Sequence, residues 1–396
     1  MAMASEMATT PHQPEPEVLF PKSAHFCIFE MPRLLHSFAS DNYAGVHPAV
    51  LAAIVSANGG HEIAYGEDGI TSLELHSLIE QTFGEGAVAF PVFNGTAANV
   101  VSLQSLLRPW ESVVAVDTAH IHCDEGGAPE KVAGIKLLTV PHEGGKLTPA
   151  ALASQLFDRD SVHRCQPGAV SIANTTELGT VYSVAEVRAL ADAAHAAGLL
   201  LHMDGARLSN AAAALALPLR AFTRDAGVDI LSLGGTKIGA MGAEAIVLLP
   251  QPGCQHAQRL ASGLPFLRKS AMQLASKQRF ISAQLCALLK DGLCISLGAH
   301  ANAMAARLEA GLLARASADI FMPTPRQANA VFPVLPAPLV AALQARFRFY
   351  VWDQAQFLPR LQVRWMCSWD TSEASVDELL AAVGQELEKL GGAGKA

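Results

Sequence analysis

Short runs of apolar residues recur along the chain, and amphipathic or polar stretches separate each run from the next. Short apolar runs that end at glycine, asparagine or aspartate are typical of buried β-strands. Such runs predict strands at residues 87–92, 113–116, 169–173, 199–203, 228–233 and 245–249. Because helical patterns lie between most of these runs, the alternation predicts an α/β fold with a mostly parallel sheet that helices cover on both faces.

Capping signals mark where several of the predicted helices begin. Ser183 and Glu186 have the spacing of a capping box, in which each side chain accepts a hydrogen bond from the backbone N–H of the other residue. Thr71 and Glu74 have the same spacing. The two pairs therefore predict helices that begin directly after Ser183 and Thr71.

The pattern changes at about residue 255, where long helical stretches replace the alternation of strands and helices. Further apolar runs then predict strands at 330–335 and 362–366, followed by a last helix at 375–390. We therefore predict three parts, which are a disordered N-terminal tail (residues 1–24), a large α/β domain (25–290) and a small C-terminal α+β domain (291–396).

The composition fits a folded protein that binds a small molecule. Of the 396 residues, 51% are hydrophobic and 16% are charged, which provides enough apolar surface for a large core. The net charge is −8 and no basic block stands out, so we expect no nucleic-acid partner. No stretch approaches about 18 uninterrupted apolar residues and the polar N-terminus lacks the apolar core of a signal peptide, so we expect no membrane segment. The seven scattered cysteines argue against a disulfide framework or a zinc site and favour a cytoplasmic location.

A single lysine, Lys237, follows the predicted strand at 228–233 after Gly234 and Gly235. Most lysines lie on solvated surfaces, whereas this one stands between small residues at the end of an apolar run. Burial lowers the pKa of a lysine because desolvation disfavours the ammonium form, and a neutral amine can attack a carbonyl to form a Schiff base. A surface lysine in a glycine-rich turn is the alternative interpretation of this segment alone.

Polar residues follow three other predicted strands, and ligands of open α/β sheets gather beyond the carboxyl ends of the strands. Asn94-Gly95-Thr96 leads into a helix, whose free N–H groups could hold a phosphate, although many ordinary turns have this composition. Asp204 could keep a ring nitrogen protonated or could cap a helix. His120 and His122 lie in a loop that also holds an aspartate and a glutamate, which indicates either a metal site or a plain polar loop.

Taken together, these residues supply what pyridoxal phosphate requires of a protein. The phosphate needs a helix N-terminus, the ring needs a flat side chain to stack on, the ring nitrogen needs a carboxylate, and the aldehyde needs an amine. The Gly95-Thr96 turn, His120, Asp204 and Lys237 offer these groups in that order along the chain. Their order and spacing therefore indicate a pyridoxal-phosphate site.

These residues and several further motifs give the chain a resemblance to a known family. The chain resembles the low-specificity threonine aldolases of the β-eliminating lyase family, which are pyridoxal-phosphate enzymes of fold type I. The resemblance runs from about Phe38 to Asp370 and rests on Ser40-Asp41-Asn42, Tyr65-Gly66-Glu67-Asp68, Phe93-Asn94-Gly95-Thr96-Ala97-Ala98-Asn99, Ala119-His120, Asp204-Gly205-Ala206-Arg207, Gly234-Gly235-Thr236-Lys237 and Val363-Arg364. It implies a mostly parallel seven-stranded sheet and a smaller C-terminal α+β domain.

The resemblance implies catalytic roles for three residues and no metal. Lys237 would form the Schiff base with the cofactor, and Asp204 would pair with the nitrogen of the cofactor ring. His120 would stack on that ring. We also hypothesise that His120, or a water that it holds, is the base that removes the proton of the substrate hydroxyl group.

Binding roles are implied in the same way for five residues. Gly95 and Thr96 would hold the phosphate of the cofactor, and Arg207 would lie beside the ring oxygen. The substrate carboxylate would be received by Ser40, Arg207 and Arg364. A guanidinium group suits this task because it can donate two parallel hydrogen bonds to a carboxylate.

The function that follows from the resemblance is a retro-aldol cleavage. The expected substrates are L-threonine, L-allo-threonine or a related β-hydroxy-α-amino acid such as phenylserine, and the expected products are glycine and an aldehyde. Two alternatives stay open, since fold does not determine chemistry. One is another fold-type-I enzyme such as an aminotransferase or a β-eliminating lyase, and the other is a non-catalytic scaffold. The family also implies a homodimer or homotetramer with shared active sites.

Overall fold

The computed structural model describes residues 37–251, 256–315, 320–353 and 355–393, so the predicted tail at 1–24 lies outside the described residues. A seven-stranded sheet forms the larger part of the fold. Its strands are β1 (Val88–Val92), β2 (Glu111–Val116), β3 (Lys136–Val140), β4 (Gln166–Ala173), β5 (Leu200–Gly205), β6 (Ile230–Gly234) and β7 (Glu244–Leu248). They lie in the order β1-β7-β6-β5-β4-β2-β3.

Only β7 runs against the direction of the other six strands. It pairs antiparallel with β1 on one side and with β6 on the other, whereas β2 to β6 pair in parallel. The mostly parallel seven-stranded sheet is therefore confirmed. Because six strands share one direction, their carboxyl ends all lie at one edge of the sheet, which is where ligands of such sheets bind.

Helices pack against the sheet and extend the fold beyond it. They are α1 (Pro48–Ser56), α2 (His76–Phe83), α3 (Gly95–Leu106), α4 (His120–Cys123), α5 (Ala128–Ala133), α6 (Pro149–Ala153), α7 (Val184–Ala196), α8 (Leu208–Leu215), α9 (Ala257–Ser270), α10 (Arg279–Leu289), α11 (Leu293–Leu313), α12 (Ala337–Gln344) and α13 (Glu373–Ala393). Helix α3 packs across β5, β6 and β7.

One of the two predicted capping boxes is confirmed and the other is wrong. At the start of α7, Ser183 N–H donates to Glu186 Oε2 at 2.7 Å and Glu186 N–H donates to Ser183 Oγ at 3.2 Å. Near Thr71, the cap is instead Asp68, whose two carboxylate oxygens accept from Thr71 N–H at 2.8 Å and from Thr71 Oγ1 at 2.9 Å. A π-helical turn, Ile70–Leu75, therefore precedes α2.

A small antiparallel sheet forms the second part of the fold. Its strands are β8 (Ala330–Val331), β9 (Val334–Pro336), β10 (Tyr350–Asp353) and β11 (Arg360–Met366). Its core is separate from that of the large sheet, and the fully buried Trp365 and Phe38 lie in it. Helix α11 packs on both α8 and α13. The predicted domain boundary near residue 290 falls directly before this helix and stays a prediction.

The stretch Arg279–Leu313 is apolar and long enough, by length and composition only, to cross a membrane, with a mean hydropathy of 1.5. It contains two helices, because the chain turns between α10 and α11 at Asp291 and Gly292, which have φ angles of 52° and 68°. Helix α10 packs against α1, and α11 packs against α8. Both helices thus bury apolar side chains within the protein itself.

Two adjacent glycines allow the chain to approach closely at the end of β6. A Cβ atom built on Gly234 would lie 2.7 Å from the Cα of Ala206, and one built on Gly235 would overlap the carbonyl oxygen of Ala243. Both neighbours are backbone atoms, which cannot rotate away as a side chain could. The glycine pair is therefore required by the packing of the strand ends that surround Lys237.

We predict that Gly235→Ala lowers the free energy of unfolding by about 1–3 kcal/mol, because the added methyl group overpacks a rigid site. The matched control is Gly263→Ala in α9, where a Cβ would meet no atom within 4 Å. That variant should be slightly more stable than the wild type, since alanine favours the helix. Urea unfolding midpoints at equal protein concentration provide the measurement, and an unchanged midpoint for Gly235→Ala would contradict the packing argument.

Candidate active site

The predicted cofactor residues lie together around one small cavity at the carboxyl edge of the large sheet. Gly95, Thr96, His120, Asp204, Arg207 and Lys237 all line it, together with Asn99, Glu125, Ala173, Thr175, Glu177 and Ala206. The register explains this convergence, since Asp204 on β5 pairs with Ala173 on β4 and with Ser232 on β6. The chain then leaves β6 and places Lys237 beside the same edge.

Lys237 lies in a tight 3-10 turn, Thr236–Ile238, directly after β6. The buried carboxylate of Glu244, at the start of β7, holds this turn by accepting Gly235 N–H at 3.0 Å and Thr236 N–H at 3.2 Å. Burial and the nearby guanidinium of Arg207 lower the pKa of the Lys237 amine, while surrounding carboxylates oppose the effect. The amine is thus more readily neutral than that of a surface lysine.

Asp204 is a half-buried carboxylate that stays ionised. Burial alone would raise its pKa, but the charge of Lys237 and hydrogen bonds from Ala206 and Asn99 outweigh this effect and hold the pKa below its usual value. The bonds join Asp204 Oδ1 to Ala206 N–H and Asp204 Oδ2 to Asn99 Nδ2, both at 2.8 Å. The carboxylate is therefore fixed in position and charged, as the partner of a protonated ring nitrogen must be.

His120 begins the short helix α4 and is held by two glutamates. Its Nδ1 lies 2.9 Å from Oε1 of Glu125, whose side chain is fully buried, and its backbone N–H donates to Glu177 Oε1 at 2.9 Å. The hydrogen bond with Glu125 raises the pKa of His120 against the opposing effect of burial. The imidazole is thus oriented by a carboxylate, while His122 lies exposed on the same helix.

Within the described part of the chain, no group of three or more His, Cys, Asp or Glu side chains is arranged to hold a metal ion.

The N-terminus of α3 forms the opposite wall of the cavity. Asn94 caps the helix by accepting Ala97 N–H at 2.9 Å. The N–H groups of the first turn, among them those of Gly95 and Thr96, have no partner inside a helix and carry its positive dipole. A Cβ on Gly95 would meet no atom within 4 Å, so space for a phosphate group lies beside this backbone.

Arg207 lines the cavity and is paired with a residue from the N-terminal part of the described chain. Its Nε and Nη2 donate to the two carboxylate oxygens of the buried Asp41 at 2.7 and 2.9 Å. Asn329 adds a third hydrogen bond to this carboxylate, at 3.2 Å. Because breaking a buried ion pair by removing one partner costs about 3–5 kcal/mol, Asp41 fixes the position of Arg207.

Two of the predicted substrate-binding residues do not line the cavity itself. Ser40 Oγ accepts Asn42 N–H at 3.2 Å and caps the short turn that contains Asp41. Arg364 Nη2 donates to the carbonyl of Ala39 at 3.0 Å, and its guanidinium lies 4.6 Å from the centre of the Trp352 ring. Its buried Nε finds no hydrogen-bond partner among the described residues. Their roles toward a substrate stay predictions.

Several residues of the site had no role assigned from the sequence. These are Asp41, Asn99, Glu125, Glu177 and Glu244. Asn99 lies three residues after Thr96 and thus on the same face of α3. Glu125 stands in the same polar loop as His120, and Glu177 belongs to the polar segment that follows the predicted strand at 169–173, so both had a local signal. Asp41 and Glu244 reach the site through the tertiary fold.

These groups fit pyridoxal phosphate, since each part of the cofactor meets a group that suits it. An amine of lowered pKa, a fixed charged carboxylate, an imidazole and a free helix N-terminus surround one cavity. On this fold, that combination defines an enzyme of fold type I, the class that uses pyridoxal phosphate.

Comparisons with known proteins place the chain within this class. Residues 37–336 match the family model of the beta-eliminating lyases. The chain is 41% identical to the low specificity L-threonine aldolase of Pseudomonas sp. (strain NCIMB 10558), over 87% of this chain and 96% of that relative. It is also 41% identical to the low specificity L-threonine aldolase of Pseudomonas aeruginosa, over 86% of this chain and 95% of the relative.

A solved structure agrees with these relatives. The threonine aldolase of Leishmania major superposes with a TM-score of 0.82 at 32% identity, covering 88% of this chain and 99% of that one. The chain belongs to the beta-eliminating lyase family.

We predict that Glu125→Gln lowers the pKa of His120, because the glutamine keeps a hydrogen-bond acceptor but removes the charge that stabilises the imidazolium. Histidine NMR titration would measure the shift, with the His120 signal assigned from a His120→Asn variant. His195, whose pKa is raised by its own partner Asp229, serves as an internal control and should titrate as before. An unchanged His120 titration would show that Glu125 does not set its protonation.

Proposed function

We propose that this chain is a pyridoxal-phosphate enzyme that cleaves L-threonine, L-allo-threonine and related β-hydroxy-α-amino acids to glycine and an aldehyde. The observation that carries the proposal is the convergence of Lys237, Asp204, His120 and the α3 N-terminus on a single cavity. The curated relatives that match almost the whole chain are named as low specificity L-threonine aldolases, which supports this reaction over others of the class.

The residues around the cavity would hold the cofactor by its separate parts. Lys237 offers its amine to the aldehyde, Asp204 keeps the ring nitrogen protonated, and His120 provides a flat surface for the ring. The N–H groups of Gly95 and Thr96 would receive the phosphate. When bound, the cofactor supplies an electron sink for the bond that breaks at Cα.

The substrate carboxylate would be bound by the arginines at the rim. Arg207 is already engaged by Asp41, so it contributes its charge and its remaining donors. Arg364 keeps its Nε free of protein partners in the described structure and is held against the Trp352 ring. A guanidinium held in this position would orient the amino acid so that the Cα–Cβ bond is the bond placed for cleavage.

We predict that the purified protein, supplied with pyridoxal phosphate, releases acetaldehyde and glycine from L-threonine, and that Lys237→Ala reduces this release to background. Lysine removal abolishes the amine that the reaction requires. The control is Lys136→Ala, which changes an exposed lysine on the edge strand β3 and should leave the rate unchanged. Aldehyde is measured by reduction with a coupled alcohol dehydrogenase and glycine by chromatography.

The same assay separates the competing functions. A 2-oxo acid formed together with free ammonia would indicate a β-eliminating lyase, and a 2-oxo acid formed without ammonia would indicate an aminotransferase. Release of carbon dioxide would indicate a decarboxylase. A wild-type protein that takes up no cofactor and converts none of these substrates would favour a scaffold. Parallel assays with L-allo-threonine, D-threonine and phenylserine define the accepted stereochemistry and aldehyde.

We also infer that the active unit contains at least two copies of this chain, as a homodimer or homotetramer with shared active sites. An exposed apolar surface, here called the apolar rim, lies beside the cofactor-binding turns and consists of Tyr65, Phe93, Met241 and Met272. Their segments contact one another. Phe93 N–H donates to Gln273 Oε1, beside Met272, at 3.1 Å, and Lys269 Nζ lies 5.1 Å from the centre of the Tyr65 ring. A Cβ on Gly242, beside Met241, would lie 4.0 Å from the carbonyl oxygen of Phe93. A second copy would cover this rim, because apolar patches rimmed by polar residues mark interfaces.

We predict that Met272→Glu weakens self-association, because it places a charge within the apolar rim, where Met272 is 80% exposed in the single chain. Val162→Glu is the matched control, since Val162 is 93% exposed on another part of the chain. Light scattering coupled to size-exclusion chromatography measures the mass. A monomeric wild type would contradict the inferred oligomer. An unchanged mass for Met272→Glu would show that the interface lies on another surface.

A further inference from the structure

Glu177 is a cavity-lining carboxyl group that the proposed roles leave unused. It lies in the turn that follows β4, and hydrogen bonds within this turn hold its backbone, including Thr176 N–H to Thr180 O at 2.9 Å and Thr176 Oγ1 to Thr180 Oγ1 at 2.7 Å. Its side chain lines the same cavity as Lys237 and accepts His120 N–H at 2.9 Å. Glu177 is thus fixed by hydrogen bonds at the wall of the cavity that Lys237 also lines.

The acidic side chains of Asp41, Asp204 and Glu125 already have hydrogen-bond or ion-pair partners. Asp41 is paired with Arg207, and Asp204 is held by Asn99 and Ala206 to face the ring nitrogen. Glu125 accepts from both His120 and Asn99. Glu177 has no ion-pair partner within the described ranges, so its carboxyl group is the one that can gain and lose a proton without breaking a salt bridge.

The surroundings of Glu177 allow its carboxyl group to take up and release a proton near neutral pH. Burial raises its pKa to about 7, against the opposing effects of the His120 N–H, its own backbone N–H and the His120 charge. The titratable and charged groups around it are His120, Cys123, Glu125, Tyr182, Asp204, Arg207 and Lys237. A general base works best when its pKa lies near the working pH.

His120 is less suited to act as the base. Its Nδ1 is bonded to Glu125, and this carboxylate raises the pKa of the imidazole. A raised pKa favours the imidazolium form, in which both ring nitrogens carry hydrogen and neither can accept a further proton. Its position instead suits the stacking role implied by the resemblance.

We propose that Glu177 is the catalytic residue that accepts the proton of the substrate β-hydroxyl group, an assignment that rests on the function proposed above. The hydroxyl proton moves to the Glu177 carboxylate, the C–O bond becomes the carbonyl of the aldehyde, and the Cα–Cβ bond breaks. The electron pair of that bond stays with the glycine fragment, whose Cα is protonated before release. The proton that Glu177 has accepted passes to solvent, and one solvent proton enters at Cα, so Glu177 returns to its carboxylate form and each turnover balances.

The test compares Glu177→Gln with Glu177→Asp and with a matched control, Glu143→Gln. Glutamine keeps an acceptor for the His120 N–H but cannot take a proton, so kcat for threonine cleavage should fall by about 100-fold or more. Aspartate keeps the carboxyl group on a shorter side chain and should restore part of the loss. Glu143 is exposed on the neighbouring turn and has no contact with the cavity, so Glu143→Gln should retain the wild-type rate.

The dependence of kcat/KM on pH gives a second readout, and the protonation state of Glu177 determines whether the rate rises or falls. Below its pKa of about 7, Glu177 is neutral and cannot accept a proton, so kcat/KM of the wild type should rise as the pH increases through this value. Glu177→Gln should lose this rise. A purely structural role would lower the rate without removing the pH dependence.

Infrared difference spectra provide a readout that does not depend on turnover. Spectra recorded on either side of pH 7 should show a protonated carboxyl band that titrates in the wild type and in Glu143→Gln and is missing from Glu177→Gln. If the wild type cleaves threonine and Glu177→Gln does so equally fast, or if no such band titrates, the assignment of Glu177 is overturned and the proposed function stands. If the wild type cleaves no β-hydroxy-amino acid, the proposed function itself fails and the assignment fails with it.

Discussion

Several charges must be buried together at one edge of the sheet, and the rest of the site is built around this constraint. Lys237, Arg207, Asp204 and Asp41 each influence the pKa of at least one of the others. An isolated ion would be strongly disfavoured there, whereas two cations and two carboxylates in proximity compensate one another. The arrangement keeps Asp204 ionised and lowers the pKa of the Lys237 amine, which are the two protonation states that a pyridoxal-phosphate enzyme requires.

The backbone makes this grouping of charges possible. Gly234 and Gly235 let the end of β6 approach Ala206 and Ala243 more closely than any side chain would permit. Glu244, on the antiparallel strand β7, then binds the two N–H groups that the turn before Lys237 exposes. The reversal of β7 is therefore useful as well as topologically distinctive, because it brings the amino end of one strand, with its carboxylate, to the carboxyl edge of the others.

The parts of the fold and site that could be predicted are those encoded locally. Strands β4 to β7 are mostly buried and each contains a run of apolar residues, so their sequence pattern is clear. Strands β3 and β10 are partly exposed and mix polar with apolar residues, so they show no such run. Gly95, His120, Asp204 and Lys237 lie close after predicted strands, which marked them as candidates, and the resemblance to a known family then implied their roles. Their partners could not be assigned, since Asn99 meets Asp204 across 105 residues and Asp41 meets Arg207 across 166.

Asn99 shows why such a partner matters. Its single Nδ2 group carries two hydrogens and donates them to Glu125 and Asp204, both at 2.8 Å. Because this donor is neutral, it adds to the effect of Lys237 on Asp204 without placing a further cation in the cluster. An acidic residue at this position would place three carboxylates together and raise their pKa values, while a cation would compete for Asp204. The amide of Asn99 thus allows two carboxylates to lie close together, which are Asp204, the proposed partner of the ring nitrogen, and Glu125, which orients His120.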